Sequence, residues 1–234
     1  MRKQHLAVCI MLMGLAGFIL MEMGRGITAL SPFFASRALA GRIIGVDAGH
    51  GGYDGGCVGV SGVEEKAINL EVALLLRREL EARGAHVILS RNEDIALIDP
   101  KATTGYKKRK ELTNRIALFN DAGVEMMVSI HMNRYEDAAQ RGAQVFYQNG
   151  QTDGRTLALS ITQALHDLDG KYTRTASVGD YFILNTCPAS ALVECGFLSN
   201  PSEESLLRDG EYQKKVCAVL AASAADYVEN IHIS

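Results

Sequence analysis

From residue 42 onward, short apolar runs alternate with longer amphipathic segments, and this alternation restricts the fold more than any other feature of the chain. Short apolar runs predict buried strands, whereas apolar residues at every third or fourth position predict helices. A strand–helix order that continues along the chain is typical of an α/β domain. We therefore predict a single α/β domain over residues 42–230, with a largely parallel, twisted sheet and helices on both faces.

The clearest predicted helix follows a glycine-rich loop and covers residues 64–83. Its apolar face contains Ile68, Val72, Leu76 and Leu80, and Gly84 follows as a helix terminator. The other predicted helices are 108–120, 156–168 and 212–228. The predicted strands are 43–46, 86–89, 126–130, 143–147, 181–184 and 191–193.

The chain begins with a basic and then apolar segment. Arg2 and Lys3 precede the run Leu6–Met21, which contains no charged residue and no proline. At about 1.5 Å per residue the run would extend roughly 24 Å, slightly less than the hydrocarbon thickness of about 30 Å. Because the positive charges come first, the rest of the chain is expected outside the cytoplasm. We predict that residues 1–23 are a membrane anchor or signal segment and that residues 24–41 are a tether; an uncleaved anchor is favoured over a cleaved signal peptide.

The basic N-terminal segment conceals the negative charge of the rest of the chain. The whole chain has 24 basic and 27 acidic residues, a formal net charge of −3. Residues 1–40 hold four of the basic and one of the acidic residues, so residues 41–234 carry 20 basic and 26 acidic residues, or −6. A domain of this sign is unsuited to binding phosphate backbones, and we predict that it binds no nucleic acid.

Several familiar chemical motifs are missing from the sequence. The loop that begins at Gly49 places Asp54 where a dinucleotide-binding loop requires its third glycine, and neither GxxxxGK[ST] nor GxSxG occurs. The cysteines are odd in number and none form a CxxC pair, which argues against a disulfide framework or a cysteine-ligated zinc site, although one pairing stays open. They are Cys9, Cys57, Cys187, Cys195 and Cys217.

Four polar residues follow or end predicted elements at one edge of the predicted sheet. His50 follows the first strand, Glu65 opens the first helix, His131 ends the strand 126–130 and Glu194 ends the strand 191–193. Two histidines and one carboxylate are the ligand set of a catalytic zinc ion with an open position, and a second carboxylate can accept the proton of a water molecule. From the residues alone, Glu64 is as good a ligand as Glu65.

Four segments resemble a known enzyme family. IGVDAGHGGYD at 44–54, followed by GVEEK at 62–66, is similar to the opening of the zinc-dependent N-acetylmuramoyl-L-alanine amidases of the Amidase_3 family. SIHMN at 129–133 and LVECGFLSNP at 192–201 are similar to two later segments of that family. The resemblance covers about residues 42–229 and implies hydrolysis of the amide between N-acetylmuramic acid and L-Ala in peptidoglycan.

The same resemblance implies a role for each of the four polar residues. His50, Glu65 and His131 would bind one Zn²⁺ per chain, and Glu194 would be the catalytic base. Glu65 is chosen over its neighbour because the ligand in the family directly precedes a lysine.

Three further residues are candidates for substrate-binding or supporting roles. Asp47 either orients a metal-bound imidazole or caps a turn. Arg115 and Asn133 either position the substrate or tie loops together.

The anchored single domain without wall-binding repeats is similar to the spore-cortex and germination members of the family. This likeness implies a role in muramic-δ-lactam formation, with muramyl peptides of peptidoglycan as substrate and the membrane as attachment through the N-terminal segment. The sequence leaves open an activating partner such as a sporulation protein, the muropeptide preference and the oligomeric state. A zinc peptidase, a cell-wall de-N-acetylase and an anchored wall-binding protein that needs an activating partner are the alternatives.

Overall fold

The computed structural model describes residues 37–99, 107–170 and 174–231, and it confirms the predicted α/β domain with a largely parallel sheet. The predicted anchor, residues 1–23, and the tether as far as residue 36 lie outside the described residues. Within the described ranges, none of the helices combines the length and apolar character needed to cross a membrane.

The strands are β1 (Ile43–Ala48), β2 (His86–Leu89), β3 (Met126–Asn133), β4 (Gln144–Tyr147), β5 (Ser177–Val178) and β6 (Ala189–Phe197). The helices are α1 (Glu65–Ala82), α2 (Lys107–Asp121), α3 (Thr152–Asp169), α4 (Pro201–Leu207) and α5 (Gly210–Ile231).

The order of the strands brings the carboxyl ends of β1, β3 and β6 together. The sheet runs β2-β1-β3-β6-β4-β5, and neighbouring strands pair in parallel except β4, which is antiparallel to β6. In open α/β sheets, binding sites lie beyond the carboxyl ends of the parallel strands. The three central strands therefore supply one site from residues far apart in sequence.

Alternation along the strands divides the core between the two faces of the sheet. One face, which includes Ile44 and Val128, packs against α1 and α3, and α5 packs on these two helices. The other face packs against α2, where Phe119 contacts Met127 and neighbouring side chains. Gly45 lies on this second face, and an added Cβ there would come within 3.0 Å of the Phe119 ring. The central sheet is thus covered on both sides, as the strand–helix alternation predicts.

The structure departs from the predicted elements in three places. The predicted strand 181–184 is wrong: Phe182–Asn185 forms a 3-10 helix, whose residues Ile183 and Leu184 fill the α2 side of the core. Neither the two-residue β5 nor α4 was predicted. Asn200 is the N-cap of α4, because its side-chain oxygen accepts hydrogen bonds from the backbone N–H groups of Ser202 and Glu203. The packed core also includes Leu39, upstream of residue 42.

Candidate metal centre and active site

The loop after β1 presents His50 in an unusual backbone conformation. The residue has φ = 61°, a left-handed value that non-glycine residues adopt rarely and at a cost in energy. A Cβ on the preceding Gly49 would lie 2.3 Å from the His131 ring, and a Cβ on Gly56 would lie 2.5 Å from the Glu65 carboxylate. These two glycines therefore permit a close approach of the loop to both side chains.

Glu65 is the first residue of α1 and is only 3% exposed. Its carboxylate accepts hydrogen bonds from the backbone N–H of Cys57 (2.9 Å) and of Met132 (3.1 Å), and from the Asn69 side chain (3.1 Å). Burial alone would raise the pKa of Glu65, but contacts with His131 and His50 hold this pKa below its ordinary value. The carboxylate is thus buried, oriented and ionised.

The two histidines approach the same oxygen of Glu65. Its Oε1 lies 3.2 Å from His50 Nε2 and 3.0 Å from His131 Nδ1, and the three ligand atoms lie within 4.8 Å of one another. Burial lowers the pKa of His50, but Asp54 and Glu65 more than offset that and raise it to about 9. Two imidazoles around a buried carboxylate, in a site that already favours positive charge, fit a transition-metal ion such as Zn²⁺.

Glu194 lies directly beside this cluster, because β6 pairs in register with β3 and places it opposite His131. Burial raises the pKa of Glu194 to about 7, and the negative charge of Glu65 raises it while the histidines oppose the shift. Its Oε2 is buried and has no hydrogen-bond partner among the described residues. A carboxylate with such a pKa and a free oxygen is suited to exchange a proton near neutral pH.

A cavity of about 310 Å³ opens over these side chains. One wall is apolar and combines α2, the 3-10 helix region and β6, and its residues are Leu112, Tyr181, Phe182, Ile183 and Leu192. Asn133, Arg134 and Lys108 contribute polar groups to the lining. The cavity, termed the catalytic cavity, therefore offers an apolar surface beside three side chains that could hold a metal ion and beside the Glu194 carboxylate.

Of the candidate supporting residues, Asp47 and Arg115 belong to a buried network beneath the loop. Asp47 accepts hydrogen bonds from Arg115 (2.8 Å) and from the Ser129 hydroxyl (2.7 Å). Asp54, rather than Asp47, lies beside the metal-centre imidazole, with Oδ2 2.9 Å from His50 Nδ1. Asp54 was not among the residues predicted from the sequence, although a carboxylate four residues after His50 in the same loop was a usable signal.

The backbone carbonyls of the loop are held by two buried arginines. Arg115 donates to the carbonyls of Ala48 (2.8 Å) and His50 (2.5 Å), and Arg91 donates to those of Ala48 (3.0 Å) and Gly49 (3.0 Å). Arg115 also pairs with Glu111 one helical turn away. Three consecutive carbonyls thus have cationic donors, which fixes the strained conformation of the loop. The sequence analysis did not assign Arg91 a role.

Replacement of Arg115 by methionine is expected to destabilise the fold strongly. The side chain is 1% exposed, so its loss leaves the buried carboxylates of Asp47 and Glu111 without their partner. Breaking a buried pair in this way costs about 3–5 kcal/mol. Urea unfolding measures the change, with Arg77→Met as control. That arginine forms an exposed pair with Glu81, and pairs of this type are worth about 0.3–0.5 kcal/mol. Equal losses in the two variants would contradict the network.

Comparisons with known proteins point to one enzyme family. The model of the Amidase_3 family, described as N-acetylmuramoyl-L-alanine amidase, matches residues 44–226. The germination-specific N-acetylmuramoyl-L-alanine amidase of Bacillus subtilis (strain 168) is 41% identical over 187 residues, which are 78% of this chain and 78% of that protein.

Two solved structures are similar in fold. The CwlD amidase from Clostridioides difficile, determined in complex with the GerS lipoprotein, has a TM-score of 0.77 and 36% identity, covering 81% of this chain and 99% of that one. The catalytic domain of CwlV, an amidase from Bacillus (Paenibacillus) polymyxa var. colistinus, has a TM-score of 0.68 and 26% identity, covering 80% and 98%. The chain belongs to the Amidase_3 family and is an N-acetylmuramoyl-L-alanine amidase of peptidoglycan.

Proposed function

We propose that the amidase is zinc-dependent, with one Zn²⁺ held by His50, Glu65 and His131 and with Glu194 as its catalytic base. The observation that carries this proposal is the convergence of three potential ligand atoms within 4.8 Å of one another, with the Glu194 carboxylate, whose pKa burial raises to about 7, on the neighbouring strand β6. The scissile bond is the amide between the lactyl group of N-acetylmuramic acid and L-Ala.

Each residue of the site has a separate task in this reaction. When bound, the zinc ion supplies Lewis acidity that polarises the carbonyl and lowers the pKa of a water molecule. Glu194 accepts the proton of the attacking water, and it then delivers that proton to the nitrogen of L-Ala as the C–N bond breaks. The products are a muramic carboxyl group and a free amine. The apolar wall at Leu112 and Phe182 limits access of bulk water to the reacting groups.

The direct test is zinc content and muropeptide hydrolysis with mass analysis, performed on the full-length protein. About one zinc per chain, with stem peptides released, would support the proposal. Cleavage within the peptide or loss of acetyl groups would instead indicate a zinc peptidase or a de-N-acetylase. A protein without zinc would contradict the assignment of the three ligands.

Zinc affinity should rise steeply with pH. The pKa of His50 is about 9 without metal, so this ligand is protonated at pH 7 and must release a proton when the metal binds. Glu65 is already ionised and releases none. We expect the Kd for zinc to fall about tenfold between pH 7 and pH 8, as one released proton requires. Competition with a chelator of known affinity measures the change, and a Kd independent of pH would contradict the protonated state of His50.

We further propose that the enzyme acts outside the cytoplasm on spore-cortex peptidoglycan, where it contributes to muramic-δ-lactam formation. The support is the similarity to the germination-specific amidase of Bacillus subtilis, together with the basic and apolar N-terminal segment. The muramic-δ-lactam content of spores that lack the gene tests this role. Cortex with its normal δ-lactam content would contradict it.

An activating lipoprotein partner is a related proposal, because the similar CwlD structure contains the GerS lipoprotein. Hydrolysis that appears only after addition of spore extract would support it. Full activity of the purified enzyme alone would make a partner unnecessary.

A further inference from the structure

A second, larger cavity adjoins the catalytic cavity. It has a volume of about 820 Å³ and is termed here the outer cavity. Arg134 lines both cavities, so it marks the boundary between them. The outer cavity is lined by Gly59, Val60, Arg134, Tyr135, Glu136, Ala138 and Ser199. Its position makes it a continuation of the catalytic cavity for any substrate that is longer than the reacting groups.

Arg134 is placed at this boundary by the end of β3. Its backbone N–H donates to the Asn133 side chain (2.7 Å), and its side chain donates from Nη1 to the carbonyl of Val58. Among residues 37–99, 107–170 and 174–231, no carboxylate forms an ion pair with its guanidinium. The remaining donors of the guanidinium are thus available to an acidic ligand, for which arginine is geometrically suited.

The charges of the outer cavity occur in a definite order. The cation Arg134 lies next to the catalytic cavity, whereas the anion Glu136 lines the outer cavity only. In the stem peptide, the γ-linked acidic second residue has a free α-carboxylate, and the diamino third residue has a free ammonium when it is not cross-linked. Proceeding from the scissile amide, the substrate therefore offers an anion and then a cation, which is the complementary order.

We propose that the outer cavity binds the stem peptide beyond L-Ala and that Arg134 recognises the free carboxylate of the second residue. This inference rests on the proposed function, because it takes the scissile amide to lie above Glu194. It makes Arg134 a determinant of substrate specificity: the enzyme would distinguish stems with a free carboxylate from stems in which that group is an amide.

Two substrates that differ only in this group provide the test. Both are muramyl tripeptides with the sequence L-Ala, γ-linked D-Glu and diamino acid, one with the α-carboxylate free and one with it amidated. We expect the zinc-loaded full-length enzyme to have an about tenfold higher kcat/KM on the substrate with the free carboxylate, mainly because its KM is lower. A difference of this size is expected for one exposed, charge-assisted hydrogen bond. Arg134→Gln should abolish the preference, Arg134→Lys should keep part of it, and Arg155→Gln, a charge removal on the distant helix α3, should leave it unchanged.

The outcomes separate the inference from the proposed function. Equal rates on the two substrates, or a preference that survives in Arg134→Gln, would overturn the inference and leave the amidase function intact. If neither substrate is hydrolysed even after addition of spore extract, the proposed function fails, and the inference is then decided by calorimetric binding of the two tripeptides to Glu194→Gln with and without Arg134→Gln. Identical affinities in that measurement would overturn it. Where hydrolysis is detected, a retained kcat on the amidated substrate shows that Arg134→Gln is folded.

Discussion

Glu194→Gln is expected to lower kcat by about 10²–10⁴-fold, the usual contribution of a general base, while zinc content stays at about one per chain. Glutamine has almost the same size, so the pairing of β6 with β3 is retained. It cannot accept the proton of the attacking water. The measurement is the initial rate of stem-peptide release together with metal analysis of the same sample.

The pH profile gives an independent check of the same residue. Glu194 has a pKa of about 7 without metal, and a bound cation lowers that value. Activity of the unmodified enzyme should therefore fall with decreasing pH at or somewhat below pH 7, and this acidic limb should be missing in Glu194→Gln. Glu81→Gln, on the exposed face of α1, serves as control. A rate near that of the unmodified enzyme in Glu194→Gln would refute the assigned role.

Glu65→Gln is expected to remove zinc and, with it, almost all activity. The substitution removes the charge of the ligand while keeping its shape. Removing a residue that only hydrogen-bonds to a metal ligand lowers metal affinity about 10–100-fold. Removing the ligand itself should therefore lower the affinity further. Metal analysis after dialysis and a Kd from chelator competition measure the effect.

The neighbouring glutamate supplies a matched control. The Glu64 side chain is 52% exposed and pairs with Lys66, whereas Glu65 contacts both histidines. Glu64→Gln should therefore retain zinc and most of the activity. If Glu64→Gln lost zinc and Glu65→Gln kept it, the assignment of the third ligand would be reversed.

The fold was largely predictable because burial and helix periodicity act locally. The helix 64–83 and the strand at Ile43–Ala48 agree with the prediction to within a few residues. The segment 181–184 was not predictable in this way, because a short apolar run is also typical of a buried strand, whereas Ile183 and Leu184 are buried here from a 3-10 helix. Only the packing against α2 decides between them. The two-residue β5 is too short to show any pattern.

The residues of the candidate metal centre were predictable from the sequence, as were Asp47 and Arg115 of the supporting network, whereas the role of Arg91 was not. His50, Glu65, His131 and Glu194 each follow, begin or lie within a predictable element, and the structure brings them together. The contacts of Arg91 depend on how the loop after β1 turns, including its left-handed histidine. The spacing of residues in the sequence does not predict this loop conformation.

The geometry of the three ligands has a consequence for chain entropy. The ligands belong to three separate segments, and Glu65 and His131 alone are 66 residues apart in sequence. A metal ion that joins them closes large loops, which restricts the unfolded chain as a covalent cross-link does. In the described part of the chain, Cys57, Cys187, Cys195 and Cys217 are all free thiols. With the proposed zinc ion bound, the domain would obtain from that ion the kind of cross-link that many secreted domains obtain from disulfides.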